Sequence, residues 1–130
     1  MVDSMMDHEK VNILLVDDQP AKLLAYEVIL KELGENLDVA ASGREALEYL
    51  LKNEVAVILV DVCMPELDGF ELAAMIRENP EFRRLPIIAL TAKAMKGDRE
   101  KCLEAGASDY LAKPVNTEQL LLAIRMWLHR

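Results

Sequence analysis

Five residues that could do chemistry each follow the end of a short apolar run. They are three carboxylates, one hydroxyl and one amine, namely Asp17, Asp18, Asp61, Thr91 and Lys113. Taken singly, each is ordinary, because acidic residues often begin turns and because threonine or lysine can follow any strand. Their shared position after apolar runs is the informative feature. If those runs are strands of one parallel sheet, the five side chains meet at its carboxyl edge, where such sheets bind ligands.

The chemistry of such an edge follows from its charges. Three carboxylates placed close together repel one another unless a cation neutralises them. Oxygen ligands with neither histidine nor paired cysteine nearby favour a hard cation, so we expect Mg²⁺, with Mn²⁺ as a substitute. Lys113 would add a second positive charge. The site therefore suits a small, highly charged anion, and a phosphoryl group fits best.

The chain alternates apolar runs of strand length with amphipathic helical stretches. The predicted strands are Val11 to Val16, Leu37 to Ala40, Val55 to Val60, Pro86 to Leu90 and Ser108 to Ala112. The predicted helices are Pro20 to Leu33, Gly43 to Lys52 after a Ser42 cap, Gly69 to Glu78, a stretch between Met95 and Ala105, and a last helix capped by Thr117. Strict alternation predicts an α/β fold with a parallel sheet and helices on both faces.

Bulk properties limit the remaining possibilities. The 130 residues suffice for one domain, and the formal net charge of −8 argues against binding nucleic acid through its phosphates. No apolar run reaches the roughly 20 residues that cross a bilayer, so membrane insertion is not expected. The two cysteines have no metal-type spacing and are expected to stay reduced in a cytoplasmic protein. Residues 1–9 are expected to form a disordered lead before a single domain at 10–130.

Four stretches of the chain resemble the receiver domains of two-component response regulators, the CheY-like family. They read ILLVDDQP, VILVDVCMPELDGFEL, PIIALTA and GASDYLAKPV, within a resemblance that covers Val11 to Arg130. The resemblance implies a single doubly wound (βα)5 flavodoxin-like fold, with a five-stranded parallel sheet of order 2-1-3-4-5. The opening and closing motifs are similar to those of receivers attached to hybrid sensor histidine kinases.

The resemblance also implies a role for each acidic residue. Asp61 matches the aspartate that becomes phosphorylated. Asp17 and Asp18 match the acidic pair that holds Mg²⁺ together with Asp61. Cys63 would bind the same ion through its backbone carbonyl, so its thiol need not take part.

Three further positions match the family's switch. Thr91 matches the hydroxyl that contacts the phosphoryl group, Lys113 the lysine that pairs with it, and Tyr110 the aromatic residue that turns inward when Thr91 moves. The implied function is that of a phosphoacceptor signalling domain, which is not an enzyme beyond assisting its own phosphorylation and dephosphorylation. The implied phosphodonor is a sensor histidine kinase or a histidine phosphotransfer protein, and the face formed by helix 4, strand 5 and helix 5 would carry the output.

The last helix offers one clue to partners. Its inward face carries four apolar residues at helical spacing, Leu120, Ala123, Ile124 and Trp127. Leu122 and Met126 project to the other side, where a solvated helix is usually polar. We expect these two residues to contact a partner or a second copy of the chain.

Other classes of protein explain the sequence less well. A phosphatase of the haloacid dehalogenase type needs a second aspartate at the position of Cys63. A flavodoxin-like cofactor carrier needs a phosphate loop rich in Ser, Thr and Gly where the chain has Asp17 and Asp18. A histidine kinase needs a nucleotide-binding signature, which the sequence lacks. The alternative that stays open is a receiver-fold scaffold that works without phosphorylation.

Overall fold

One parallel β-sheet forms the centre of the molecule. The computed structural model describes residues 10–61, 69–91, 100, 103–112 and 116–128, with only the backbone of residues 69 and 70. The strands are β1 (Asn12–Val16), β2 (Asn36–Ala40), β3 (Val57–Asp61), β4 (Ile87–Thr91) and β5 (Asp109–Ala112). They are paired in parallel in the order β2-β1-β3-β4-β5, which confirms the predicted doubly wound fold.

Helices follow the strands in sequence and cover both faces of the sheet. Residues 100 and 103–105 are helical, and we label them α4. The other helices are α1 (Pro20–Leu30, extended by a 3₁₀ turn at Lys31–Leu33), α2 (Gly43–Lys52), α3 (Gly69–Glu78, followed by a 3₁₀ turn at Pro80–Phe82) and α5 (Thr117–Leu128). Within the described ranges, no helix is long and apolar enough to cross a membrane.

Individual residues set the ends of three helices. Pro20 is the first residue of α1, and Gly34 follows the 3₁₀ turn in the left-handed conformation with φ of 69°. The Ser42 hydroxyl accepts a hydrogen bond from Glu45 N at 3.1 Å and caps α2, as predicted. The predicted cap of α5 is wrong. Asn116 Oδ1 accepts a hydrogen bond from Gln119 N at 3.1 Å, so Asn116 is the cap and the predicted Thr117 is the first helical residue.

Two strands end one residue later than their apolar runs. Asp61 pairs with Leu90 across β3 and β4, and Thr91 pairs with Ala112 across β4 and β5. The strands continue because backbone hydrogen bonds, rather than side-chain hydrophobicity, decide where pairing stops. Both polar residues therefore belong to the rigid sheet and not to the loops that follow it.

The core has two halves, one on each face of the sheet. On one face, alternate residues of the strands pack against α2 and α3, as in the cluster of Leu14, Ile58, Leu72 and Ile76. On the other face, the intervening residues pack against α1 and α5, as in the cluster of Ile13, Leu59, Leu23 and Ile124. All five residues of β3 are buried, because this strand is covered on both sides. Asp61 thus ends one of the two strands, β3 and β4, whose residues are all buried.

Candidate functional site

Asp17 and Asp18 lie in the connection between β1 and α1. Asp17 N donates a hydrogen bond to Ala40 O at 3.1 Å, which continues the contact between β1 and β2 beyond the paired residues. The Asp17 side chain is oriented by the backbone ahead of it, because Oδ1 accepts a hydrogen bond from Gln19 N at 3.0 Å. Pro20 then begins α1 at once. The carboxylate of Asp17 is therefore fixed at the carboxyl edge of the sheet.

Asp61 and Thr91 end the two strands next in the sheet. Asp61 is 1% exposed at the end of the central strand β3, and Thr91 is 4% exposed at the end of β4. The register aligns Asp61 with Leu90, the residue that precedes Thr91, so the two strands end at the same edge. Because both residues are paired in the sheet, their backbone positions are set by its ladder of hydrogen bonds.

The three carboxylates form one compact cluster. Ligand oxygens of Asp17, Asp18 and Asp61 all lie within 4.8 Å of one another. Asp17 and Asp61 are each only 1% exposed, so water screens their mutual repulsion weakly. Asp18 Oδ1 is buried as well, and no described residue donates a hydrogen bond to it. A buried acceptor of this kind, in an all-oxygen cluster, fits the ligand set of a hard divalent cation such as Mg²⁺.

Tyr110 lies in β5, at the far edge of the sheet from β2. It pairs with Ala89 of β4, and two residues later Ala112 pairs with Thr91. Tyr110 and Ala112 therefore project to the same face of β5. The tyrosine is half-buried and packs against the half of the core that faces α2 and α3. The structure thus places the predicted switch residue on the strand next to Thr91.

The structure brings some of the predicted site residues together, and others lie outside the residues it describes. Asp17, Asp18 and Asp61 form the cluster, and Thr91 lies at the same edge. Lys113 and Cys63 lie outside the described residues, so their predicted roles stay predictions. The sequence interpretation missed the part played by Gln19, whose backbone N–H orients Asp17. The spacing of two residues between an aspartate and its backbone donor is the signal that could have found it.

Comparison with known proteins gives a consistent match over most of the chain. The family model described as the response regulator receiver domain covers residues 13–125. The signal transduction histidine-protein kinase BarA of Shigella flexneri is 39% identical over 110 residues, which make up 85% of this chain and 12% of BarA. An uncharacterised 14.6 kDa protein of Leptolyngbya boryana is 42% identical over 118 residues, 91% of this chain and 90% of that protein.

A solved structure matches both the sequence and the fold. It is the receiver domain of the sensor histidine kinase PA1611 from Pseudomonas aeruginosa PAO1, with a magnesium ion coordinated in its active site cleft. It is 39% identical, with a TM-score of 0.85 over 94% of this chain and 100% of that one. This chain therefore corresponds to nearly the whole of that domain but to a small part of the length of BarA.

The chain belongs to the response regulator receiver domain family. It is a receiver domain of the type used in two-component and phosphorelay signalling, and this family consists of signalling domains rather than classical enzymes. Membership excludes the phosphatase and the cofactor carrier as explanations of the sequence. Similar receivers form part of histidine kinases, as predicted from the opening and closing motifs.

Proposed function

We propose that Asp61 accepts a phosphoryl group from a phosphohistidine, with Mg²⁺ bound by the acidic cluster. The observation that carries this proposal is the convergence of Asp17, Asp18 and Asp61 within 4.8 Å at the carboxyl edge of a receiver-fold sheet. The magnesium ion named for the similar receiver of PA1611 supports the choice of cation. The phosphodonor would be a sensor histidine kinase or a histidine phosphotransfer protein.

The transfer needs no oxidant, and its one further reactant is a proton from water. A carboxylate oxygen of Asp61 attacks phosphorus, the new O–P bond forms, and the P–N bond to the donor imidazole breaks. The electron pair of that bond stays on the imidazole nitrogen, which takes up a proton. The product is an acyl phosphate on Asp61, which is intrinsically labile and gives the signal a finite lifetime.

Charge neutralisation decides whether this transfer can occur. Two unit negative charges about 4 Å apart repel by about 4 kcal/mol at an effective dielectric constant near 20. An incoming phosphoryl group would meet several such charges. Asp17, Asp18, Asp61 and the backbone carbonyl of Cys63 would hold Mg²⁺, which supplies positive charge to both the cluster and the phosphoryl oxygens. Lys113 would supply a second positive charge.

The phosphoryl group would act on the protein through Thr91, Lys113 and Tyr110. Phosphorylation adds about −1.5 to −2 charges and new acceptor oxygens, which the Thr91 hydroxyl and Lys113 can contact. A shift of Thr91 leaves space that the Tyr110 ring can enter from β5. Couplings of this kind are typically about 1–3 kcal/mol, so the response is a shift between two populated conformers.

The output surface would be the face of α4, β5 and α5. A groove of about 360 Å³ on this face is lined by Tyr110 and Leu111 of β5 and by Leu122 and Met126 of α5. Leu122 and Met126 are 59% and 58% exposed, as their spacing predicts. A partner or a second copy of the chain would bind there and sense the position of Tyr110.

The extent of the unit and its location are also proposals. We take residues 10–130 as the receiver unit; the predicted lead at residues 1–9 lies outside the described residues. A cytoplasmic location is proposed because the two cysteines would stay reduced there.

Intact mass spectrometry tests the proposed function. The chain is incubated with acetyl phosphate and Mg²⁺, beside Asp61→Asn as the matched control. One added phosphoryl group is expected, dependent on Mg²⁺, lost in mild base and absent from the variant. A folded chain that gains no phosphoryl group from any of several donors would contradict the proposal and favour the scaffold that works without phosphorylation.

A further inference from the structure

Arg77 lies in the last turn of α3, and its guanidinium contacts three separate segments. Nε donates a hydrogen bond to Gly106 O at 2.9 Å, and Nη1 donates to Phe82 O at 2.6 Å. Nη2 donates to Ser108 Oγ at 3.2 Å. A planar guanidinium is suited to this task, because it offers several donors in one fixed geometry. Arg77 therefore ties α3 to the end of α4, to the segment before β4, and to the start of β5.

Ser108 extends this network into the sheet. Its hydroxyl oxygen also accepts a hydrogen bond from Ile87 N at 3.0 Å, and its own N donates to Ile87 O at 2.7 Å. Ser108 immediately precedes β5, and Ile87 is the first residue of β4. Through Ser108, the Arg77 side chain reaches the amino ends of both strands.

Gly106 lets the chain pass close over the Arg77 side chain. Its φ of 114° is strained for any residue with a side chain, and a Cβ built there would lie 2.7 Å from Arg77 Cγ. The glycine therefore serves close packing as well as backbone conformation. The last turn of α4 and the start of β5 are held against α3 by direct contact.

The start of β5 is also held from the other face of the sheet. Trp127 Nε1, in α5, donates a hydrogen bond to Asp109 Oδ2 at 3.3 Å. Asp109 Oδ1 accepts a hydrogen bond from Tyr110 N at 2.8 Å. These contacts hold the amino end of β5, which is the opposite end of the strand from Thr91 and the acidic cluster.

We propose that Arg77 is a positioning residue that pins the amino end of β5, so that movement started at Thr91 is confined to Tyr110 and the carboxyl end of the strand. β5 is an edge strand with a ladder on one side only, so without an anchor it could shift as a unit and lose the signal. With one end fixed, a displacement beside Thr91 turns the strand and its tyrosine. This inference rests on the proposed phosphoacceptor function.

Hydrogen exchange of the unphosphorylated chain tests the pin itself. Arg77→Met keeps most of the side-chain stem and removes the donors, and Arg83→Met, an exposed arginine, is the matched control. In Arg77→Met, amides of residues 105–109 should exchange at least about tenfold faster, because partly buried acceptors lose a charged donor. Arg83→Met should leave them unchanged. Equal exchange in Arg77→Met and the parent chain would overturn the inference.

Exchange after phosphorylation tests the positioning role. In the parent chain, phosphorylation should change exchange at residues 110–112 and leave 105–109 unchanged. In Arg77→Met the change should spread to 105–109, and Arg77→Lys, with one charged donor, should fall between. A parent chain in which 105–109 respond as strongly as 110–112 would contradict the pin.

The experiments distinguish failure of the proposed phosphoacceptor function from failure of the proposed role of Arg77. A chain that accepts no phosphoryl group would overturn the proposed function and the switching role of Arg77, while the first comparison would still show whether Arg77 holds β5. If Arg77→Met does not fold, Ser108→Ala removes one acceptor of the network. In Ser108→Ala, phosphorylation should then change exchange at residues 105–109, though less than in Arg77→Met. A response like that of the parent chain would count against the inference.

Discussion

The three carboxylates of the site reach one place from two strands that are distant in sequence. Asp17 and Asp18 follow β1, Asp61 ends β3, and these strands are neighbours in the sheet. Asp18 differs from the other two because it is partly exposed while its Oδ1 is buried without a hydrogen bond from any described residue. We expect the arrangement to lower stability without a cation and to raise it when a cation binds. Changing one of the three aspartates separates the effect of charge repulsion from the effect of metal binding.

Asp18→Asn should have opposite effects on the two states of the site. Without metal, the variant should be more stable than the parent chain, because one of three like charges is gone. Stabilisation by Mg²⁺ should shrink, because it depends on an affinity that we expect to fall about tenfold or more. Denaturant unfolding with and without Mg²⁺ measures both, and Glu48→Gln, an exposed acid beside Arg44, is the control. A variant that is stabilised by Mg²⁺ as strongly as the parent would show that Asp18 is not a ligand.

The environment of Tyr49 leads us to expect that the free energy of unfolding depends on pH. Its hydroxyl donates a hydrogen bond to Asp38 Oδ2. Burial first, and then this hydrogen bond and the charge of Asp38, raise the pKa of Tyr49 from 10.0 to about 12. The folded chain holds the proton more tightly than the unfolded chain, so this contribution is complete below pH 10.0 and is lost as the pH rises toward about 12.

Unfolding free energies measured between neutral and alkaline pH check this expectation. The parent chain should lose stability faster than Tyr49→Phe above the normal tyrosine pKa. Asp38→Asn should bring the Tyr49 pKa closer to 10.0 and so make the loss of stability smaller. Identical slopes in the parent chain and Tyr49→Phe would show that the hydroxyl is not linked to folding.

At the scale of elements, the structure shows which boundaries a sequence can reveal. Pro20, Gly34 and Ser42 act on the backbone next to them, so the ends they set could be predicted. The apolar runs alone would end β3 and β4 one residue early, because pairing with a neighbouring strand extends them to Asp61 and Thr91. The cap of α5 was misassigned because Asn116 and Thr117 are adjacent and both suit the position.

The exposed apolar residues on the outer side of α5 lead us to expect that a partner binds there. Leu122→Glu and Met126→Glu place charges in the groove beside Tyr110. Each should weaken self-association or partner binding of the phosphorylated chain, with fold stability nearly unchanged because both residues are exposed. Leu51→Glu is the matched control, since Leu51 is 70% exposed on α2. Sedimentation and pull-down assays in which all three variants behave like the parent chain would rule out this surface.

The outer side of α1 predicts where the phosphodonor binds. Leu24 and Val28 are 63% and 69% exposed, one turn apart on the helix that begins two residues after Asp18. We expect a protein that brings a phosphohistidine to Asp61 to contact this surface, because α1 begins two residues after Asp18. Leu24→Glu and Val28→Glu should slow transfer from a phosphohistidine protein about tenfold or more, and leave phosphorylation by acetyl phosphate unchanged. Equal slowing with both donors would mean that the variants disturb the site itself.

At the scale of the whole molecule, the sequence and the fold contribute different information. Alternation of apolar runs and helices predicts a parallel sheet, but it leaves the order of the strands open. The order 2-1-3-4-5 came from the resemblance, and the structure confirms it. That order puts β1 beside β3 and so brings Asp17 and Asp18 to Asp61. The Arg77 network escaped prediction because its partners, Phe82, Gly106 and Ser108, are joined by folding and not by spacing.

The central claim is that Asp61, and neither of its acidic neighbours, carries the phosphoryl group. The most direct measurement is borohydride reduction of the phosphorylated chain, which converts an acyl phosphate to an alcohol and so turns the modified aspartate into homoserine. Peptide mass spectrometry then identifies the position. We predict homoserine at position 61 only, dependent on Mg²⁺ and acetyl phosphate. Homoserine at position 17 or 18, or none in a folded chain whose intact mass had risen by one phosphoryl group, would contradict the account.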